Sequence, residues 1–212
     1  MGDDTVRTRA DLDVERAARL LRHVHSALDL TLRVLSSSTV EGLEHTMADF
    51  GRTLRGLRDG SDGLATAALG IPPHETDSAC VLTALYVSED VGRIGVLLEQ
   101  AGEVAQLRSS GLPLAEEALV PVRDLGGAAL RLVALAHDVV RSTAPPTVMD
   151  RDLSDIATRQ RDLERLLMTG DEAPGVLSDA ADAAVLGRCF EECASRAAAV
   201  ARIGALRRRG HR

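Results

Sequence analysis

The chain has 212 residues, of which 45% are hydrophobic and 27% charged, and a formal net charge of −7, values typical of a globular protein. The acidic balance excludes a general nucleic-acid binder, which needs a basic face, and only three aromatic residues (two Phe, one Tyr) are available to stack on bases. No apolar stretch reaches the roughly 18 residues of a membrane span and no secretion signal is evident, so we expect a cytoplasmic protein.

Caps and helix-breaking residues predict three helices in the first half of the chain. The first covers about 11–35, and the second opens at the capping box Ser38–Glu41 and continues to about position 69. The break Gly70–Pro73 separates it from the third, about 74–108. A strict seven-residue apolar repeat marks the first helix, at Val14, Leu21, Leu28 and Leu35.

Three more helices are predicted in the second half. The first of them covers about 112–141, with Pro121 either kinking it or marking its true start. A short, strongly charged helix follows over about 147–168, and a last helix over about 176–209. No segment alternates between apolar and polar residues with a period of two, so the chain is predicted to be all-α.

One apolar stripe occurs twice with an offset of 99 residues, which predicts the duplication of a helical unit. Its steps alternate between four and three residues, so each copy lies along one side of an α-helix. The fold predicted from this repeat is two tandem antiparallel three-helix bundles, residues 10–108 and 112–209. The first copy consists of Val87, Val91, Ile94, Leu98, Ala101 and Ala105, and the second of Leu186, Phe190, Cys193, Ala197, Val200 and Gly204.

The residues around both copies are similar to the signature helices of the PhoU family. The segment ALYVSEDVGRIG at 84–95 resembles the first signature helix, and Leu-Gly-Arg-x-Phe-Glu within AVLGRCFE at 184–191 resembles the second, in a form like that of actinobacterial members. The Ile71–Pro73 turn and the charged stretch 151–156 resemble the family's turn and its acidic fifth helix. The resemblance covers roughly residues 10–205.

The resemblance implies a PhoU-like pair of three-helix bundles that acts as a non-catalytic, cytoplasmic regulator of phosphate uptake and phosphate-responsive signalling. Such proteins are negative regulators that damp the phosphate ABC transporter and its sensor histidine kinase when phosphate is plentiful. The implied partners are therefore the transporter ATPase, the kinase and, in a homodimer, a second copy of the chain. Neither a nucleic-acid partner nor a membrane span is expected.

The family's metal pattern, as the resemblance implies it, is a carboxylate, three residues and then Asp, once in each repeat, and it holds iron or zinc. Here the two positions are Gly92 and Val96 in the first repeat and Glu191 and Ser195 in the second, with Arg196 where the family has His. Glu191 alone offers too few oxygen ligands for a hard or borderline metal ion. We therefore expect no metal site, no other cofactor and no catalytic residue.

A polar strip beside the apolar stripe is the candidate partner-binding site. Opposite charges lie three residues apart in it, and they form either surface ion pairs or a docking face on which Arg anchors a protein partner. The strip consists of Asp90, Arg93, Arg188, Glu191 and Glu192.

Cys189 and Cys193 lie four residues apart on one helical face, where a metal or redox role is conceivable. Core filling is favoured because Cys193 belongs to the apolar stripe and a buried Cys behaves as a small hydrophobic residue. Cys80 lies roughly 20 Å along its helix from the level that matches Cys193, so the three thiols are not expected to converge.

Two other functions stay open. A generic helical adaptor or scaffold, unrelated to phosphate, would need only the fold. An all-α nucleotide pyrophosphohydrolase is suggested by the paired glutamates Glu116–Glu117 and Glu191–Glu192, although the further carboxylates that such an enzyme needs on a neighbouring turn are missing.

Overall fold

The computed structural model describes residues 2–37, 78–111, 113–141, 146–169 and 174–210, together with positions 45 and 52. These ranges form five α-helices and one short 3₁₀ helix without a β-strand, which confirms the predicted all-α class. The predicted second helix, about 38–69, lies outside the described residues except for those two positions. None of the helices in the described ranges combines the length and apolar character needed to cross a bilayer. The elements are α1 (Gly2–Ser37), α2 (Ser78–Ser110), α3 (Glu116–Arg141), the 3₁₀ turn (Pro146–Met149), α4 (Asp150–Met168) and α5 (Pro174–Gly210).

Helix α3 begins before Pro121, which decides between the two predicted roles of this proline. The helix starts at Glu116 and Pro121 lies inside it, so the proline does not mark the start. The carbonyl oxygen of Ala115 accepts the backbone N–H of Ala118 at 3.0 Å and that of Leu119 at 2.9 Å, which closes the first turn. Acidic side chains occupy this turn, where the positive end of the helix dipole favours them.

The four long helices contact one another in a closed cycle, in the order α1, α2, α5, α3 and back to α1. Within the described part of the chain α2 and α3 do not contact each other, and α1 meets α5 only slightly, so these pairs lie on the diagonals. Helix α4 lies outside the cycle, against α3 and α5. Buried side chains from all five helices form one hydrophobic core, to which helices of both predicted halves contribute.

The predicted apolar stripe lies where α2 contacts α5. The two helices run antiparallel, because Asp90 contacts Arg196 while Gln100 contacts Cys189. Every stripe position whose side chain the structure describes is fully buried. These are Ile94, Leu98, Ala101 and Ala105 of α2 and Leu186, Phe190, Cys193, Ala197 and Val200 of α5. The remaining stripe positions, Val87, Val91 and Gly204, fall outside the residues whose side chains are described.

The close approach of α3 to two neighbouring helices depends on Gly126. A Cβ atom at this position would lie 2.4 Å from Leu32 Cδ2 on α1 and 3.0 Å from Phe190 Cε2 on α5. Leu32 is only partly buried, whereas Phe190 is fully buried and its ring is confined by the core. The adjacent Gly127 faces open space, with Arg131 Nη1 at 3.8 Å from its virtual Cβ.

Substituting each glycine in turn tests this approach. Replacing either glycine with alanine raises the helix propensity by the same amount, about 1 kcal/mol. The difference in stability between the two variants therefore reports only the contacts of the new methyl group at position 126. We expect Gly126→Ala to have a free energy of unfolding lower than that of Gly127→Ala by about 1–3 kcal/mol, the usual cost of overpacking. Urea unfolding followed by far-UV circular dichroism measures this difference, and equal stability of the two variants would contradict the packing.

Candidate functional site

Arg196 was not predicted as part of the polar strip, but it contacts two of its members and joins α2 to α5. Its Nη1 donates to Asp90 Oδ1 at 2.9 Å, and its Nη2 donates to Glu192 Oε1 at 2.5 Å. The three side chains are largely buried, with relative exposures of 19%, 20% and 32% for Arg196, Asp90 and Glu192. Burial by itself lowers the pKa of Arg196, but the hydrogen bonds from both carboxylates outweigh it and raise the pKa. The guanidinium therefore stays charged and holds the two helices together.

Arg93 does not form the predicted pair with Asp90. Its Nη2 contacts Glu89 Oε1 at 2.7 Å, an i, i+4 pair whose side chains are both more than half exposed. The carboxylate of Asp90 instead pairs with Arg196 across the contact between α2 and α5, where both side chains are less exposed to solvent. The surface pair at Arg93 contributes little to stability, because solvent screens it.

Glu191 lies near α4, beside Glu164. Burial raises the pKa of its carboxyl, and the nearby charges of Glu164 and Glu192 raise it further, while Arg188 acts in the other direction. Glu164 belongs to α4, so the last carboxylate at a family metal position lies beside a like charge from another helix. The predicted partner-binding residues thus do not form one cluster. Glu192 and Asp90 share Arg196 at the α2–α5 contact, Glu191 lies near α4, and Arg188 is exposed.

The positions that correspond to the family's metal pattern do not form one polar site. Gly92 is buried, while Val96 is 48% exposed and Ser195 is also exposed. Among the described residues, no group of three or more His, Cys, Asp or Glu side chains is placed to hold a metal ion.

The two described cysteines fill the core, as predicted. Cys193 has no exposed surface and its Sγ lies 4.0 Å from the carbonyl oxygen of Ile94, while Cys189 Sγ lies 3.9 Å from Gln100 Oε1. Burial raises the pKa of Cys189 to about 11 and that of Cys193 well above its ordinary value. Both thiols are therefore protonated at neutral pH, which makes them poor nucleophiles and poor metal ligands. The side chain of Cys80 lies outside the described residues.

A second ion cluster, which the sequence did not predict, surrounds Arg108 at the end of α2. Its guanidinium contacts Asp179 Oδ1 at 2.7 Å and Asp182 Oδ2 at 2.5 Å, and it donates to Ser178 Oγ at 3.0 Å. Asp179 also accepts the backbone N–H of Ala115 at 3.0 Å, so the segment before α3 is tied to α5. The sequence shows that Arg108 lies in the last turn of a helix, where a positive charge suits the helix dipole. The sequence around Arg108 does not indicate that its partners lie more than 60 residues further along the chain.

No protein-family model and no curated protein matches the chain.

A double-mutant cycle on Asp90→Asn and Arg196→Gln tests the contact between α2 and α5. We expect a coupling energy of about 0.5–3 kcal/mol, because the pair is largely shielded from water. Arg196→Gln should be the more destabilising single variant, since it leaves both Asp90 and Glu192 without their cation. The exposed Glu89–Arg93 pair serves as the control and should couple by about 0.3–0.5 kcal/mol. Additive effects of the Asp90 and Arg196 variants in urea unfolding would contradict the contact.

The variant Glu191→Gln tests the electrostatic environment of this carboxyl. Because its pKa is raised in the native state, the folded protein holds a proton that the unfolded chain releases, so stability falls as pH rises through the raised pKa. Glu191→Gln should therefore be more stable than the parent at pH 7, by less than about 1 kcal/mol because the site is partly solvated. The difference should vanish on acidification below the ordinary pKa of glutamate. Thermal unfolding at several pH values measures it, with the exposed Glu103→Gln as the control, and a less stable Glu191→Gln at pH 7 would contradict the arrangement.

Proposed function

We propose that the chain is a divergent PhoU-type protein, built from three-helix repeats at residues 10–108 and 112–209, that regulates phosphate uptake or phosphate-responsive signalling in the cytoplasm through protein contacts. It acts without catalysis and without the metal cluster of the family. Its partners are the ATPase of a phosphate ABC transporter or a phosphate-responsive sensor kinase.

The observation that carries the proposal is the way in which the two signature-like helices meet. Cys193 Sγ lies 4.0 Å from the carbonyl oxygen of Ile94, and these two positions differ by the 99-residue offset of the apolar stripe. When a two-fold axis relates two copies of a helix, equivalent positions meet at the axis and contacts on either side of it are exchanged. Asp90 and Cys189 also differ by 99 positions. Asp90 contacts Arg196 of α5 and Cys189 contacts Gln100 of α2, and these two contacts lie on opposite sides of the contact between Ile94 and Cys193. The pattern supports duplicated helices packed about a pseudo-two-fold axis.

The outer side of this helix contact supports a role in protein binding. On α2, Tyr86 is 59% exposed and Arg93 lies one heptad further along the same side. On α5, Val185 is 43% exposed and Arg188 is exposed in the next turn. Exposed Tyr and Arg side chains are among the residue types that anchor protein interfaces. We call these four residues the seam surface.

Binding to purified partners tests the proposal. The probes are the ATPase subunit of the phosphate transporter and the cytoplasmic part of the phosphate sensor kinase from the same organism, in a calorimetric titration. We expect the chain to bind at least one of them, and the double variant Arg93→Glu/Arg188→Glu to weaken binding about tenfold or more, the cost of losing an anchor.

The control variant is Arg131→Glu, an exposed charge on α3, which does not contact α2 within the described residues. It should bind as tightly as the parent. The absence of binding to both probes, or equal weakening by the control, would refute the proposal. A tight complex with a protein of an unrelated pathway, together with no binding to either probe, would favour the generic adaptor.

A further inference from the structure

Among the described parts of the chain, helix α4 has neighbours on one side only. It contacts α3, α5 and the preceding 3₁₀ turn, and within the described residues it contacts neither α1 nor α2. Three residues of the helix are buried, Ile156, Gln160 and Leu163, and two more, Leu153 and Leu167, are partly buried against the core. The groove that α4 occupies is nonetheless apolar. On α3, consecutive residues such as Leu125 and Gly126 are both buried, so neighbouring helices cover α3 on two sides.

The middle one of these three buried residues is polar and only half satisfied. Gln160 is 5% exposed, its Nε2 donates to Glu164 Oε1 at 3.0 Å, and its Oε1 has no hydrogen-bond partner. A buried carbonyl oxygen without a donor weakens the contact in which it lies, because it was hydrogen-bonded to water before burial. The carboxylates of Glu164 and Glu191, one from each helix, also repel each other there. The centre of the α4–α5 contact is thus electrostatically unfavourable.

The ion pair between Asp150 and Arg202 does little to offset this. The two side chains are 2.7 Å apart at the start of α4, and they are 57% and 45% exposed. A pair so open to solvent contributes little to stability. The corresponding ties between α2 and α5, at Arg196 and Arg108, are largely buried and have two carboxylates each.

Gly187 of α5 permits the close approach of α4. A Cβ atom on this residue would lie 2.6 Å from Leu163 Cδ2 and 2.7 Å from Gln160 Oε1, both on α4. The nearest atom of α3, Leu125 Cδ2, would be at an ordinary contact distance of 3.4 Å. A methyl group at position 187 would therefore disturb α4 and leave the contact of α3 with α5 nearly unchanged.

We propose that α4 is a detachable cover, which leaves the groove between α3 and α5 as a unit. Ile156 and Leu163 are then withdrawn from the core, while the four long helices stay packed on one another. Its release uncovers the apolar surface around Leu125 and Gly187, which α4 otherwise shields. Proteins open in such cooperative units when one element has few apolar contacts and the remainder is held independently. The inference does not depend on the phosphate proposal, since it rests on the packing of α4 alone.

Hydrogen exchange measured by mass spectrometry tests the proposal on the full chain. Peptides from 150–168 should exchange at least about tenfold faster than peptides from the buried middle of α3, because their opening is local rather than global. In Gly187→Ala they should exchange a further tenfold or so faster, since the methyl group overpacks the contact, while peptides of α1 and α3 keep the parental rate to within about twofold. Gly127→Ala is the matched control and should leave α4 unchanged.

The variant Gln160→Leu provides the opposite test. It removes the unpartnered carbonyl oxygen from the contact, and the peptides of α4 should exchange more slowly than in the parent while those of α1 and α3 do not change. Equal protection of α4 and α3 in the parent would overturn the proposal. So would a Gly187→Ala variant that speeds exchange in all helices alike, or one that leaves α4 at the parental rate.

Discussion

The antiparallel contact between α2 and α5 is the constraint on which the rest of the structure depends. Small side chains at Ala101, Ala105 and Ala197 let the two backbones come close, and the larger Ile94 and Phe190 fill the remaining space. Each of these two helices then contacts a further long helix, so α1 and α3 close the cycle. The largely buried ion pairs of Arg196 and Arg108 fix the register of the two helices, because a shift by one turn would leave charged groups without partners.

Much of the fold could be predicted because it follows from periodic patterns in the sequence. The stripe that includes Leu98 and Leu186 is buried as its spacing indicates, and the heptad residues Leu21 and Leu28 are buried in α1. The start of α3 was less certain, because the rule that proline ends or begins a helix competes with the acidic first turn before Pro121. How the helices are grouped could not be read from periodicity, since an apolar stripe shows which side of a helix is buried but does not identify the partner.

The polar contacts were harder to predict for the same physical reason. Asp90 and Arg93 are neighbours in sequence, yet Asp90 pairs with Arg196, which comes close only after α2 and α5 have packed. Gln160 occupies a buried position between Ile156 and Leu163, and in a strongly charged helix one more polar residue gives no sign of burial. The mismatch of Gly92 and Val96 with the carboxylate pattern of the PhoU family, in contrast, is visible in the sequence alone.

The cluster at Arg108 has a consequence for biosynthesis. Arg108 and Asp182 are 74 residues apart, and α5 leaves the ribosome after the other four described helices, although it contributes buried surface to α2, α3 and α4. During translation α2 and α3 lack the helix that each contacts most until α5 has emerged, so this part of the core is completed late. A nascent chain that stalls before α5 therefore presents apolar surface of α2 and α3 to chaperones and proteases.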